Sequence, residues 1–130
     1  YKRQGNNTPI KGPGAGFYPL IISGMKSDNP MYDQELFGPV AQVYKVKDEE
    51  EAIEVASASQ HGLGGTVFSE DLEQAERVAS KIETGQVAIN QLLTSYPQFP
   101  FGGVKFSGYG RELSDLGIRE FINAKTIIDS

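Results

Sequence analysis

The chain has 130 residues, no cysteine, and a formal net charge of −5 from 12 Lys and Arg against 17 Asp and Glu. That length fits one domain, and the acidic balance disfavours nucleic acid and anionic membrane surfaces as partners. Without cysteine, the chain contains no disulfide framework, no thiolate ligands for zinc and no cysteine nucleophile. No apolar run is long enough to span a bilayer and no leader pattern is visible, so we expect a cytoplasmic protein.

The first residues are poor in groups that could form a core. Residues 1–16 are rich in Gly, Asn and Pro, which predicts a loop or lead-in. Residues 17–23 and 40–47 are apolar and β-branched enough to predict two strands, with Val43, Tyr44 and Val46 as the apolar members of the second.

The middle of the chain alternates helices with strands. Asp48 as an N-cap, followed by Glu51, predicts a helix. The acidic run at 48–51 could suggest a metal site, but the helix dipole favours acidic residues in a first turn, so we interpret it as capping and predict no metal site. A strand at 66–69, a helix ending at Gly85 and a strand at 86–90 follow. This order predicts an α/β fold with a parallel βαβαβ core.

The last forty residues contain an expected functional loop. Residues 91–110 have no periodicity and are dense in Gly and aromatics, and they leave the carboxyl end of a predicted strand, where ligands bind in open parallel sheets. A final helix over 114–123 is predicted to bury Leu116, Phe121 and Ile122. Residues 125–129 are predicted to form a terminal strand.

Two weaker signals favour structural interpretations. The glycines at 12, 14 and 16 and those at 108 and 110 lack the spacing of a phosphate-binding loop, so we interpret them as turn glycines. His61 stands alone beside Gly62, without a catalytic constellation, and we place it in the loop after a helix.

Several segments together resemble the aldehyde dehydrogenase family. Residues 35–40 (ELFGPV) resemble one of its motifs, and 100–105 (PFGGVK) with 107–112 (SGYGRE) resemble a second, C-terminal signature. Further blocks match in the same order at 51–53, 61–64, 67–69 and 84–90. The resemblance implies that 17–124 form the C-terminal part of the catalytic domain and that 125–130 are an oligomerisation strand.

The resemblance assigns roles to three side chains. Glu35 would accept hydrogen bonds from the nicotinamide-side ribose of NAD or NADP, and Phe37 would wall the nicotinamide. Phe101 would line the aldehyde tunnel. From the residues alone, Glu35 could be a surface carboxylate, and Phe37 and Phe101 could be core aromatics.

The loop before Phe101 is similar to that of bacterial succinate-semialdehyde dehydrogenases. There a loop hydroxyl helps to hold the distal carboxylate of the substrate, which implies a substrate-binding role for Thr94 or Ser95. The alternative is that these hydroxyls bond only to local backbone.

The family's catalytic groups lie outside the matching region. The resemblance implies a thiohemiacetal at a Cys, hydride transfer to NAD(P)+ and hydrolysis by a Glu base, with Cys and base in preceding sequence. We therefore assign no catalytic residue to this chain and expect it to be an inactive fragment by itself. Its expected partners are a small aldehyde, the missing N-terminal cofactor and nucleophile segments, and further copies in a homo-oligomer. The alternatives are a stand-alone phosphate- or nucleotide-binding module and a dimerisation domain.

Overall fold

The computed structural model describes residues 2–5, 12–14 and 16–130, which form two units, residues 1–59 and 60–130. The first unit contains strands β1 (Lys2–Gly5), β2 (Leu20–Ser23) and β3 (Val40–Val43), followed by helix α1 (Glu49–Ser57). Its sheet has the order β1-β2-β3. β2 pairs with β1 antiparallel and with β3 parallel, in a register that sets Leu20 opposite Val40.

Helix α1 begins as its sequence predicts. The Asp48 carboxylate accepts a hydrogen bond from the backbone N–H of Glu51 at 2.9 Å, and the Glu51 carboxylate accepts one from the N–H of Lys47 at 2.7 Å. The first bond satisfies an N–H group that the helix leaves unpaired, the second closes the turn just before the helix, and the three Glu residues of the first turn lie at the favourable end of the helix dipole. The capping interpretation of the acidic run is confirmed.

The second unit contains two small sheets. Strands β5 (Gly65–Val67) and β6 (Val87–Ile89) pair in parallel, joined by helix α2 (Leu72–Ala79). Strands β4 (His61–Gly62) and β7 (Val104–Lys105) pair antiparallel, and a short helix α3 (Ser114–Arg119) follows. Ala75 of α2 is fully buried and Ala88 of β6 is 9% exposed. This β5–α2–β6 crossover is the core of the unit.

The α/β fold with parallel strands is confirmed, but the continuous βαβαβ sheet over 40–90 is wrong. β3 shares its sheet with β1 and β2, whereas β5 and β6 form a separate sheet. Alternation of helices and strands indicates crossovers without saying which strands pair. The lead-in prediction is also incomplete because residues 2–5 form β1, whose pairing uses backbone groups that composition does not reveal.

His61 and the C-terminal segment also differ from expectation. His61 opens β4, opposite Lys105, and does not lie at a helix end. α3 is shorter than predicted, and Leu116, Phe121 and Ile122 are exposed, because a six-residue helix offers little surface to pack against. Residues 125–130 form no strand within the single chain. An oligomerisation strand needs a second chain, so that assignment stays a prediction.

Backbone contacts between glycines hold the second unit tightly. The N–H of Gly85 donates to the carbonyl of Gly62 at 3.0 Å. A β-carbon added at Gly85 would overlap the carbonyl oxygen of Gly102, and one added at Gly103 would lie 2.5 Å from the β-carbon of Ser107. These glycines are therefore required by close approach of the backbone.

The interior of the described chain is small. Only three hydrophobic residues are buried in the described part, Leu20, Ala75 and Ala88, and no large side chain there is fully buried. Large apolar groups such as Phe121, Ile127 and Ile128 are more than four-fifths exposed. None of the helices in the described ranges is both long and apolar enough to cross a membrane. Exposed apolar surface of this extent favours association.

We predict that Gly85→Ala destabilises the second unit, because the new methyl group would displace the Gly102 backbone. Overpacking of this kind costs about 1–3 kcal/mol. The matched control is Gly65→Ala in β5, where the nearest atom to an added β-carbon is 3.8 Å away. Thermal unfolding of both variants measures the difference, and equal unfolding midpoints would contradict the prediction.

We also predict that the isolated chain self-associates through its C-terminal segment. Replacing Ile127 and Ile128 by Ser should reduce the association by removing exposed apolar surface. Replacing Lys125 and Asp129 by Ser should leave the association unchanged. Sedimentation equilibrium gives the mass. A folded monomer at high concentration with a cooperative thermal transition would refute the prediction.

Candidate functional site

The first unit has a cavity of about 710 Å³ between β2 and the segment that leads into β3. The walls of this cavity are mainly apolar, and Glu35 is one of the few polar residues that line it. Phe17, Leu20, Met25, Met31, Glu35 and Phe37 are among the residues that line it. The structure thus brings the two predicted cofactor-contacting residues, Glu35 and Phe37, to one cavity.

Two tight turns set the direction of Phe37. The N–H of Gly38 donates to the carbonyl of Leu36 at 2.9 Å, and the N–H of Val40 donates to the carbonyl of Gly38 at 2.7 Å. Pro39 is fixed to β2 because its carbonyl accepts from the N–H of Leu20 at 2.9 Å. The Phe37 side chain is consequently 95% exposed, which excludes the core-aromatic alternative within the described chain.

Glu35 is exposed as well, and its carboxylate makes no hydrogen bond or ion pair with any described residue. No group in the part of the chain that the structure describes therefore competes with a ligand for its acceptor lone pairs. A carboxylate and an aromatic face two residues apart suit a ribose diol and a flat heterocycle respectively. The residues present thus fit the nicotinamide half of NAD or NADP, although the exposure of Glu35 is also that of a surface carboxylate.

Side chains of β3 and its extension hold the loop that carries Glu35. The Gln42 amide donates to the carbonyl of Met31 at 2.8 Å, and the Tyr44 hydroxyl donates to the carbonyl of Tyr32 at 2.6 Å. The Tyr32 and Tyr44 rings meet edge to face at 4.9 Å. Burial, with the nearby Tyr32 and Asp33, raises the pKa of Tyr44 above its ordinary value, so the donating phenol is maintained.

Phe101 lies in the second unit on a segment fixed from both sides. Its N–H donates to the carbonyl of Glu112 at 2.8 Å, and its carbonyl accepts from the Glu112 N–H at 2.6 Å. The Arg111 guanidinium donates to the carbonyls of Gly103 and Gly110 at 3.0 and 2.6 Å. The half-buried Phe101 ring lines a cavity of about 390 Å³ with Leu63 and Tyr109. It is therefore neither buried in a core nor fully exposed to solvent.

Thr94 and Ser95 are exposed, and neither hydroxyl bonds to another described residue. The alternative that they serve only local backbone is therefore not supported. Their loop is fixed further on, where the N–H of Ser114 donates to the carbonyl of Pro97 at 3.0 Å. The residues lining the Phe101 cavity do not include them, so the structure does not bring the three predicted substrate contacts into one cavity.

Several contributors to these sites were not predicted as such. Gln42 and Tyr44 donate to backbone carbonyls eleven and twelve residues away, and Arg111 donates to the carbonyls of Gly103 and Gly110. The one signal that the sequence offers is that Gln42 and Tyr44 stand at alternate positions, and so on one face, of the strand predicted at 40–47. The turn interpretation of Gly12, Gly14, Gly108 and Gly110 is supported, because all four have positive φ.

We predict that Tyr44→Phe loosens the loop that carries Glu35. Loss of one hydrogen bond should lower the free energy of unfolding by about 1 kcal/mol near neutral pH. Because the pKa of Tyr44 is raised in the folded chain, its contribution is complete below about pH 10 and is lost as the pH rises through the raised pKa. The wild type should therefore lose more stability at alkaline pH than Tyr44→Phe does.

Urea unfolding as a function of pH tests this expectation. Tyr109→Phe is the matched control, because the Tyr109 side chain is fully exposed. The hydrogen bond would have no energetic role if Tyr44→Phe matched the control in stability and in alkaline dependence.

Comparisons with known proteins agree with the motifs and the fold. The model of the aldehyde dehydrogenase family matches residues 3–127. A succinate-semialdehyde dehydrogenase (NADP+) of Deinococcus radiodurans is 52% identical over 115 residues, which are 88% of this chain and 24% of that protein. The solved succinic semialdehyde dehydrogenase of Streptococcus pyogenes, in complex with NADP+, is 54% identical with a TM-score of 0.87, over 93% of this chain and 27% of that one.

A betaine aldehyde dehydrogenase of Staphylococcus aureus in complex with NAD+ is 38% identical with a TM-score of 0.82, over 91% of this chain and 24% of that one. The chain thus spans about a quarter of the length of these relatives. The family model matches almost the whole chain, and the chain therefore belongs to the aldehyde dehydrogenase family.

Proposed function

We propose that this chain is the C-terminal part of the catalytic domain of an NADP-dependent aldehyde dehydrogenase that oxidises succinate semialdehyde to the acid. The observation that carries the proposal is the pairing, at one cavity, of the exposed Phe37 ring with Glu35, whose carboxylate bonds to none of the described residues. The names of the relatives support the choice of NADP and of this aldehyde.

Glu35 and Phe37 would hold the nicotinamide end of the cofactor. The Glu35 carboxylate can accept hydrogen bonds from two vicinal ribose hydroxyls, and these are charge-assisted. The Phe37 ring, held outward by the turns at residues 36–40, would limit how far the nicotinamide plane can tilt. When bound, the nicotinamide supplies a hydride acceptor. The contribution of this chain is therefore orientation, which determines how often the reacting atoms are in range.

Phe101, Thr94 and Ser95 would contact the aldehyde. The Phe101 ring offers an apolar wall to the methylene part of the substrate and excludes water. The hydroxyls of Thr94 and Ser95, to which the described residues offer no partner, can donate to the distal carboxylate, since hydroxyl-to-carboxylate bonds are short and strong. A loop hydroxyl of this kind favours an aldehyde with a second, charged end.

The remaining groups would come from the longer polypeptide. The 130-residue chain has no thiolate, so by itself it is expected to oxidise no aldehyde. The missing cofactor and nucleophile segments would also cover apolar surface that the described chain exposes, and residues 125–130 would pair with another subunit in a cytoplasmic homo-oligomer.

The test is Glu35→Gln in the longer polypeptide. Replacing a charged acceptor by a neutral one weakens a bond worth roughly 1.5–3 kcal/mol, so we expect about a tenfold or greater loss of single-turnover hydride transfer. Glu54→Gln, which removes the same charge at an exposed position of α1, should have wild-type rates.

Thermal unfolding should show that both variants are folded. Unchanged hydride transfer in folded Glu35→Gln would remove Glu35 from the cofactor site. Failure of the wild-type polypeptide to reduce NADP+ with succinate semialdehyde would overturn the proposed function itself.

A further inference from the structure

Asn90 comes directly after β6. Its backbone conformation is unusual, and its side-chain amide is hydrogen-bonded through both the oxygen and the nitrogen. Its φ is 55°, in the left-handed region that Asn tolerates better than most residues. Its amide oxygen accepts from the N–H of Ser69 at 2.9 Å, and its amide nitrogen donates to the carbonyl of Ser69 at 2.8 Å. Both backbone groups of Ser69 are thus paired by one side chain.

These bonds lie where the parallel ladder ends. The last paired residues are Val67 and Ile89, and the N–H of Asn90 still donates to the carbonyl of Val67 at 2.8 Å. Beyond this point the Asn90 side chain takes over the pairing of Ser69 that a further strand residue would supply. The backbone is therefore released to turn away from the sheet at residue 90.

Ser69 is a firm anchor because its side chain is hydrogen-bonded to residues at the beginning of α2. Its hydroxyl donates to the Gln74 side chain at 2.9 Å and accepts from the N–H of Asp71 at 3.1 Å. The Asp71 carboxylate in turn caps α2 by accepting from the N–H of Gln74 at 3.0 Å. Through Ser69, Asn90, which is the first residue of the loop after β6, is therefore attached to the beginning of α2.

The loop that leaves Asn90 carries Thr94 and Ser95. At its far end, the N–H of Ser114 fixes the carbonyl of Pro97. Between these two attachments the Leu93 side chain lies against Gly64, and the described residues offer the Thr94 and Ser95 hydroxyls no hydrogen bond. The direction of the chain at Asn90 therefore contributes to where they point.

We propose that Asn90 is a positioning residue that sets the selectivity for a carboxylate-bearing aldehyde over an uncharged one. It acts through the backbone of residues 91–97 and does not touch the substrate. The inference rests on the proposed function, in which Thr94 or Ser95 receives the distal carboxylate.

Two substitutions separate the parts of this role. Asn90→Gly keeps the positive φ accessible and removes both bonds to Ser69. Asn90→Asp keeps the acceptor for the Ser69 N–H but places a carboxylate oxygen against the Ser69 carbonyl. Asn123→Gly and Asn123→Asp are the matched controls, because Asn123 is exposed, lies outside residues 91–97 and makes no hydrogen bond to a described residue. All are made in the longer polypeptide.

The measurement is kcat/KM for succinate semialdehyde and for butyraldehyde, with NADP+ saturating. We expect Asn90→Gly to reduce the ratio of the two values about tenfold, mainly through a higher KM for succinate semialdehyde, and Asn90→Asp to reduce it less. The Asn123 variants should keep the wild-type ratio. A role in stability alone would lower both values in proportion and leave the ratio unchanged.

An unchanged ratio in either folded Asn90 variant overturns the inference, as does an equal fall in the Asn123 controls. If Asn90→Gly does not fold, Asn90→Asp decides by the same criterion. Failure of the wild type to oxidise either aldehyde rejects the proposed function instead, so the two failures are distinguishable.

Discussion

The carbonyl oxygen of Gly102 lies where a β-carbon of residue 85 would have to be, and much of the second unit depends on this approach. It is possible because residue 85 is glycine, and the facing segment has no room for side chains either, since a β-carbon at Gly102 would meet the carbonyl oxygen of Gly110 and one at Gly103 would meet Ser107. The approach fixes the segment that begins at Phe101, and Arg111 then secures it by donating to two carbonyls. The position of the Phe101 ring is therefore set by the backbone around it.

In the first unit, polar side chains fix the position of the loop that carries the candidate site residues. Gln42 and Tyr44 each donate to a carbonyl of the loop that precedes β3, and the turns at residues 36–40 hold that loop against β2. Since few side chains in the described residues are buried, hydrogen bonds to the backbone carry more of the local order than apolar packing does. Such bonds orient Glu35 and Phe37 and leave them open to solvent.

The sequence predicts features that depend on near neighbours. Asp48 caps α1 because its partner is three residues away, and the β5–α2–β6 crossover follows from periodicity and turn glycines. Partners distant in sequence are harder to infer: that β3 pairs with β2, and that Asn90 bonds to Ser69, has no local signature. The predicted burial of the last helix is wrong because an apolar pattern shows a capacity for burial and not the surface that provides it. For Glu35, Phe37, Phe101, Thr94 and Ser95, family motifs supply roles that composition alone does not.

Because the Ser69 N–H donates to the Asn90 side chain, hydrogen exchange at this amide reports on the loop after β6. The backbone amide of Ser69 belongs to no strand or helix, yet its hydrogen is held by the Asn90 side chain. Its exchange with solvent deuterium requires that this one contact opens, whereas exchange in the neighbouring ladder requires separation of β5 from β6. Comparison of the two exchange rates therefore distinguishes motion of the loop after β6 from unfolding of the sheet that carries it.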